Sequence, residues 1–250
     1  MSPSIDFREN REFAAEMKFV VSPETGEKIC AWARTHLDPD PNGNGDAEDE
    51  YRITSLYFDT EGFDVFRRNG SFGRSKFRIR KYGASEQVFL ERKLKTRGLV
   101  AKRRSLVPAG ELPWLGGENR NGAWRGTWYQ RRIVLRQLRP VCQIAYERTA
   151  RVGRSEQGPI RLTIDRQLRA VPVQEIEFLE DPGQPVAPEH LIVEMKYRAV
   201  FPALFKGLVE TFALTPAAIS KYRLSVRQLG LAPAEILDSE AGPVKTPAYA

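Results

Sequence analysis

Several stretches of this chain alternate basic and apolar side chains, and the clearest is Lys76-Phe77-Arg78-Ile79-Arg80. Successive side chains of an extended strand point to opposite faces. Lys76, Arg78 and Arg80 therefore share one face, and Phe77 and Ile79 share the other. The same alternation runs through Phe89–Lys95, Lys102–Arg104, Arg161–Asp165 and Ile192–Lys196. Strands of this kind laid side by side gather cations on one face of a sheet. Like charges in register repel, so such a face calls for an anion or water over it. Arginine grips phosphate oxygens two at a time and lysine adds a compact point charge. The chemistry on offer is the handling of a polyanion, phosphate above all.

Other chemistries find little support. His36 and His190 are the only histidines and Cys30 and Cys142 the only cysteines, which excludes a disulfide framework and a four-cysteine zinc site. A histidine-based triad finds no support either. The net charge of +7 favours an anionic partner. With 250 residues, 41% hydrophobic and 28% charged, the chain is long enough for a sizeable core and reads as soluble and globular. Met1–Asn10 carries no secretory pattern, and no apolar run reaches the ~20 residues a membrane helix needs. A cytoplasmic protein without membrane insertion is expected.

The elements that would position these cations follow from pattern. Phe13–Val21 reads as a strand with Glu16, Lys18 and Val20 on one face and Met17, Phe19 and Val21 on the other. Ser22-Pro23-Glu24 begins a helix, with Ser22 as N-cap and Pro23 in its first turn, running to about His36. The acidic stretch Asp38–Glu50 reads as an exposed loop. Arg52–Asp59 is a strand, followed by a short helix over Thr60–Phe66. Lys76–Tyr82, Val88–Lys95 and Leu99–Val107 form an antiparallel meander. Further strands are expected at Val141–Arg151, Ile160–Leu168 and His190–Arg198, with a weaker one at Glu175–Phe178. Helices are expected over Trp128–Arg139, Pro202–Leu214 and Ser220–Leu229. The class is α+β, one domain over 12–230, with loose ends at 1–11 and 231–250. A closed barrel would turn the basic face inward as a polar tunnel, with helices covering the apolar faces of Phe77/Ile79, Val88/Leu90, Leu162/Ile164 and Val193/Met195.

The order of the segments carries a resemblance. Glu16-Met17-Lys18-Phe19 is followed by Ser55-Leu56-Tyr57-Phe58-Asp59-Thr60, Lys76–Tyr82 and Val88-Phe89-Leu90-Glu91-Arg92-Lys93. Then come Lys102-Arg103-Arg104, Tyr146-Glu147-Arg148-Thr149-Ala150, Arg161–Asp165, Val193-Glu194-Met195-Lys196-Tyr197 and Ser220-Lys221-Tyr222. The series resembles the VTC-type polyphosphate polymerase domain, a branch of the triphosphate tunnel metalloenzymes (CYTH-like superfamily), whose fold is an antiparallel β-tunnel. The resemblance spans roughly residues 12–229. It implies catalytic roles for Arg78, Arg80, Lys93, Arg148 and Arg161. Phosphate binding would fall to Lys18, Arg52, Lys76, Lys102, Arg104, Lys196 and Lys221. Glu194 matches the family's metal ligand, for Mn²⁺ or Mg²⁺; read from the residues alone, it serves equally as an internal ion pair. Glu91 reads as a structural ion pair. Many tunnel triphosphatases begin with an E-x-E-x-K strand, but Ala14 stands here at the first glutamate position.

The expected function is therefore a metal-dependent polyphosphate polymerase that moves the γ-phosphoryl of ATP onto inorganic polyphosphate. A terminal phosphate oxyanion needs no deprotonation to attack, which suits a site without histidine. The alternatives are a triphosphatase of the same fold and a non-catalytic polyphosphate-binding module. Nucleic acid is not an expected partner, because the alternation puts Phe77 on the face opposite Arg78 and Arg80 and so breaks up a stacking platform.

Overall fold

The computed structural model describes residues 15–41, 43, 49–96, 99–117 and 123–239. Its strands are β1 (Ala15–Val21), β2 (Asp38–Pro39), β3 (Glu50–Asp59), β4 (Ser75–Tyr82), β5 (Gln87–Thr96), β6 (Leu99–Pro108), β7 (Arg139–Ser155), β8 (Gly158–Pro172), β9 (Gln184–Pro185) and β10 (Leu191–Tyr197). The helices are α1 (Pro23–His36), α2 (Asp64–Arg67), α3 (Thr127–Leu135), α4 (Ala203–Thr211), α5 (Lys221–Gln228) and α6 (Ala234–Ser239). One antiparallel sheet runs in the order β1-β10-β8-β7-β3-β4-β5-β6, with β2 added to β7 and β9 to β8. The meander β4-β5-β6 is as the alternation predicts.

The apolar half of each alternating strand is covered by helices. Phe77, Ile79, Val88 and Leu90 join a cluster with Phe66 of α2 and Tyr129 and Ile133 of α3. Leu162, Ile164, Val193 and Met195 join a second cluster with Ile29, Cys30 and Ala33 of α1 and Phe205 and Leu208 of α4. Ser22 caps α1 by accepting from the Thr25 N–H at 3.2 Å. Gly26 lets α1 approach β10 closely, since a Cβ there would sit 2.4 Å from Leu191. Ile29 is fully buried by this packing, a contribution of about 2 kcal/mol.

Three expectations are corrected. First, the backbone ladder does not close: β1 and β6 are the two edges of the path. Closure requires the edge strands in register at hydrogen-bond distance. Here a side chain of the strand next to one edge reaches the other edge instead, with Lys93 of β5 donating to Glu16 of β1 at 2.7 Å. Second, the 38–50 stretch is not simply an exposed loop. Asp40 and Asp49 are buried, because each has arginine partners in the sheet: Arg161 for Asp40, Arg151 for Asp49. Third, residues 175–178 form no strand. The Gln143 side chain bonds the main chain of Leu179 and Asp181 just beyond them, the role a strand partner would take. At the C-terminal end, Ala232 is buried and α6 follows, so ordered structure continues past residue 230. The expected loose end at 1–11 lies outside the described residues.

Candidate functional site

The register places the cations together. Opposed residues of neighbouring strands share a face. Arg78 of β4 stands opposite Tyr57 of β3 and Glu91 of β5, and Arg80 stands opposite Ser55 and Phe89. Lys93 faces Lys76 on one side and Lys102 on the other, while Glu91 faces Arg104. Across β3, Tyr51 faces Arg148 of β7, which faces Asp165 of β8. Thr163 and Arg161 of β8 then meet Glu194 and Lys196 of β10, and these meet Lys18 and Glu16 of β1. The concave face of the curled sheet thus carries every expected site residue on the strands except Arg52. Arg52 is exposed and stands opposite Glu147, on the other face. One residue of register separates it from Tyr51, and that suffices to turn it outward.

Helix α5 supplies the remaining candidate. Asp59 accepts from the Val65 and Phe66 N–H groups at the start of α2 and from the Tyr222 hydroxyl at 2.6 Å. Tyr222 stacks on Tyr57 with ring centroids 5.4 Å apart. These contacts set the first turn of α5 against the concave face. There Lys221 binds Asp165, and Ser220 accepts from Lys76 at 2.8 Å.

Four carboxylates of the long strands lie among these cations, each tied to one or two of them. Glu16 accepts from Lys93. Glu91 pairs with Arg78 at 2.6 Å and Lys102 at 2.9 Å, the ion pair expected of it. Asp165 holds Arg148 through both oxygens, at 2.6 and 2.8 Å. Glu194 pairs with Lys18 at 3.2 Å and Lys196 at 3.0 Å. Arg161 reaches Asp40 at 2.6 Å and the Tyr51 hydroxyl at 2.7 Å.

Burial alone would raise the pKa of these carboxylates, but the surrounding cations prevail. Lys18 and Lys196 hold Glu194 well below the usual carboxylate range. Arg78 and Lys102 do the same for Glu91, and Arg148 and Lys221 for Asp165. Glu16 is also lowered, by Lys18 and Lys93, although burial and the nearby Glu194 oppose this.

Two cations stand apart. Arg80 is buried and donates to Ser55 and to the Tyr146 hydroxyl, each at 3.2 Å, and among the described residues it pairs with no carboxylate. Lys76 has Ser220 as its partner. Burial, then Lys18, Lys93 and Arg78, push its pKa well below the usual lysine range. Lys196 is pushed down to about 8, by burial and by Arg161, Arg148 and Lys93, against the pull of Glu194. A lysine whose proton is this loosely held gains from an arriving anion.

The donor set bears on the expected metal. Among the described residues no three acidic, histidine or cysteine side chains converge as a metal cage. Glu194 and Glu16 lie diagonally on adjacent strands of the concave face. Mg²⁺ is commonly held by one or two carboxylates together with substrate phosphates and water. The residues present fit an ion shared with a phosphate ligand.

Sequence reasoning assigned no site role to Asp165, Asp40, Tyr51, Tyr57, Tyr146 or Ser220, although four of them stand in the motifs quoted above. Asp165 and Tyr146 were within reach of the period-two rule, lying four residues after Arg161 and two before Arg148. Asp40 had no such signal, because its partner is far away in sequence.

Fold and site together define a class: a curled antiparallel sheet with its cations gathered on the concave side. The chain belongs to the VTC domain family, whose model matches residues 13–230. Among solved structures, a candidate adenylate cyclase of Bacillus halodurans shares the fold, with TM-score 0.52 and 16% identity over 83% of this chain and 94% of that one. Lower similarity is found to a candidate adenylyl cyclase of Hippeastrum described with a dominant triphosphatase activity (TM-score 0.44, 16% identity, 88% and 97% covered). A Pyrococcus horikoshii protein is similar at TM-score 0.46 and 11% identity, with 86% and 99% covered. None of the curated proteins matches the sequence. Among the described residues no helix is long and apolar enough to cross a membrane.

Proposed function

We propose that the chain is a metal-dependent polyphosphate polymerase that transfers the γ-phosphoryl group of ATP onto a polyphosphate chain lying along the concave face. The charge state of that face carries this reading. Its cations outnumber its carboxylates, and Glu16, Glu91, Asp165 and Glu194 are held acidic by the cations around them. Phosphoryl transfer depends mainly on positioning and electrostatic stabilisation. A polyphosphate terminus arrives already as an oxyanion. Water must lose a proton to attack well, and carboxylates this acidic are poor bases. The site therefore favours an anionic acceptor over water.

In this mechanism Arg80 and Lys76 take the first phosphate oxygens, since neither gives up a carboxylate to do so. Arg78, Lys18, Lys93 and Lys196 then exchange part of their carboxylate contacts for phosphate. The terminal oxygen of the chain bonds to the γ-phosphorus as the bond to the β–γ bridging oxygen breaks. ADP leaves with its charge stabilised by the same cations, and the chain is one phosphate longer, with no net proton transfer. When bound, Mn²⁺ or Mg²⁺ neutralises phosphate charge and orients the transferring group; Glu194, with Glu16 beside it, would hold it.

The test is product analysis with γ-labelled ATP, Mn²⁺ or Mg²⁺ and a short polyphosphate primer. A ladder of labelled chains is expected, falling about 100-fold in Glu194→Gln with a higher metal requirement. Label released only as free phosphate would make the chain a triphosphatase, a reading for which Glu16 beside Glu194 offers the nearest water-activating pair. Binding without turnover would leave a polyphosphate-binding module.

A further inference from the structure

A second concentration of positive charge lies on the opposite face of the sheet. Arg92 of β5 and Arg103 of β6 stand opposite one another there, one residue out of register with Lys93 and Lys102. Helix α3 lies over the same region and adds Arg132, with Arg136 directly after its last turn. Burial first, and then the charges of Arg132, Arg136 and Arg103, lower the pKa of Arg92. Its Nε is buried without a hydrogen-bond partner. Among the described residues none of the four arginines pairs with a carboxylate. Four guanidinium groups this close are costly without an anion among them.

Aromatic rings hold three of these arginines in place. Arg103 lies 4.4 Å over the Trp128 ring, Arg136 lies 4.8 Å over Phe72, and Arg92 lies 5.8 Å over Phe77. A guanidinium lying on a ring can still turn its N–H edge to an oxyanion; Arg136 already donates one of its N–H groups to the Ser71 hydroxyl at 3.0 Å. The same contacts cover the ring faces on which bases would stack. The patch therefore suits a chain of phosphates better than a single-stranded nucleic acid.

We propose that this outer patch is a second polyphosphate site, which holds the part of a long chain that the concave face cannot accommodate. The choice of ligand rests on the polymerase reading of the concave face. The test compares long-chain polyphosphate with tripolyphosphate for the full chain and the triple variant Arg103→Gln, Arg132→Gln, Arg136→Gln. Arg92 is left in place because it packs on Phe77.

Affinity for the long chain should fall about tenfold, and the slope of log affinity against log salt should shrink by about 2 to 3, with tripolyphosphate binding unchanged. Arg132→Gln alone, at an exposed helix position, should move the same quantities by about a third as much, and it serves if the triple variant does not fold. Unchanged long-chain affinity would overturn the proposal. So would an equal loss for a single-stranded oligonucleotide of matched charge. Arg80→Ala, measured alongside, separates the two sites: intact tripolyphosphate binding in that variant would sink the concave-face reading, while the outer variant still decides the patch.

Discussion

Two networks of arginine and carboxylate occupy opposite faces of one sheet and do different work. Under α1, Asp49 is fully buried and takes Arg34 at 3.1 Å and Arg151 at 3.2 Å. Glu50 takes Arg34 at 3.1 Å and Arg166 at 3.3 Å. Arg151 also donates to the carbonyls of Arg34 and Leu37, which end α1 without helical partners. Each carboxylate here is matched by cations and each arginine has a structural duty. On the concave face Arg80 and Lys76 have no carboxylate, and three of the carboxylates that are present, Glu91, Asp165 and Glu194, are each divided between two cations. A balanced network fastens a helix. An unbalanced one is left with a demand for anion, and that demand marks a binding site more reliably than the number of charges does.

Breaking each network should give opposite results. Arg80→Ala should lower turnover about 1000-fold, a loss in the range seen for electrostatic groups at phosphoryl-transfer sites, with little change in thermal midpoint. Parallel melting and labelled-product measurements check this; unaltered turnover would contradict the assignment. Asp49→Ala leaves Arg151 buried without its anion and should cost about 3 kcal/mol of stability. Molecules that remain folded should keep their turnover, as denaturant titration with an activity measurement per folded molecule can show. Loss of activity without loss of stability would mean that the α1 network belongs to the site after all.

The smallest effect is a pH dependence. Lys196 has its pKa lowered to about 8 in the fold, from an ordinary value of 10.5. Between these values the unfolded chain binds more protons, so stability of the ligand-free protein should rise as pH rises through that window. Below about 8 the charged Lys196 makes its full unfavourable contribution. Tripolyphosphate should remove the rise and should bind near pH 9 with proton uptake, measurable by calorimetry in buffers of different ionisation enthalpy. Binding with no proton uptake would place Lys196 away from the phosphate.

The sequence by itself determined the two faces. Alternation is a local property of a strand, so Lys76, Arg78 and Arg80 had to lie opposite Phe77 and Ile79 whatever the rest of the chain did. The first turn of α1 was equally local, set by Ser22 and Pro23. Tertiary structure decided the partners. Glu91 meets Arg78, Asp165 meets Arg148 and Asp40 meets Arg161 through strand register and loop path, which link residues distant along the chain. The same register turned Arg52 outward and left the ladder open between β1 and β6. Which cations remain without a carboxylate, and so await a ligand, is a property of the assembled sheet, because charge balance depends on distances in space that no local pattern encodes.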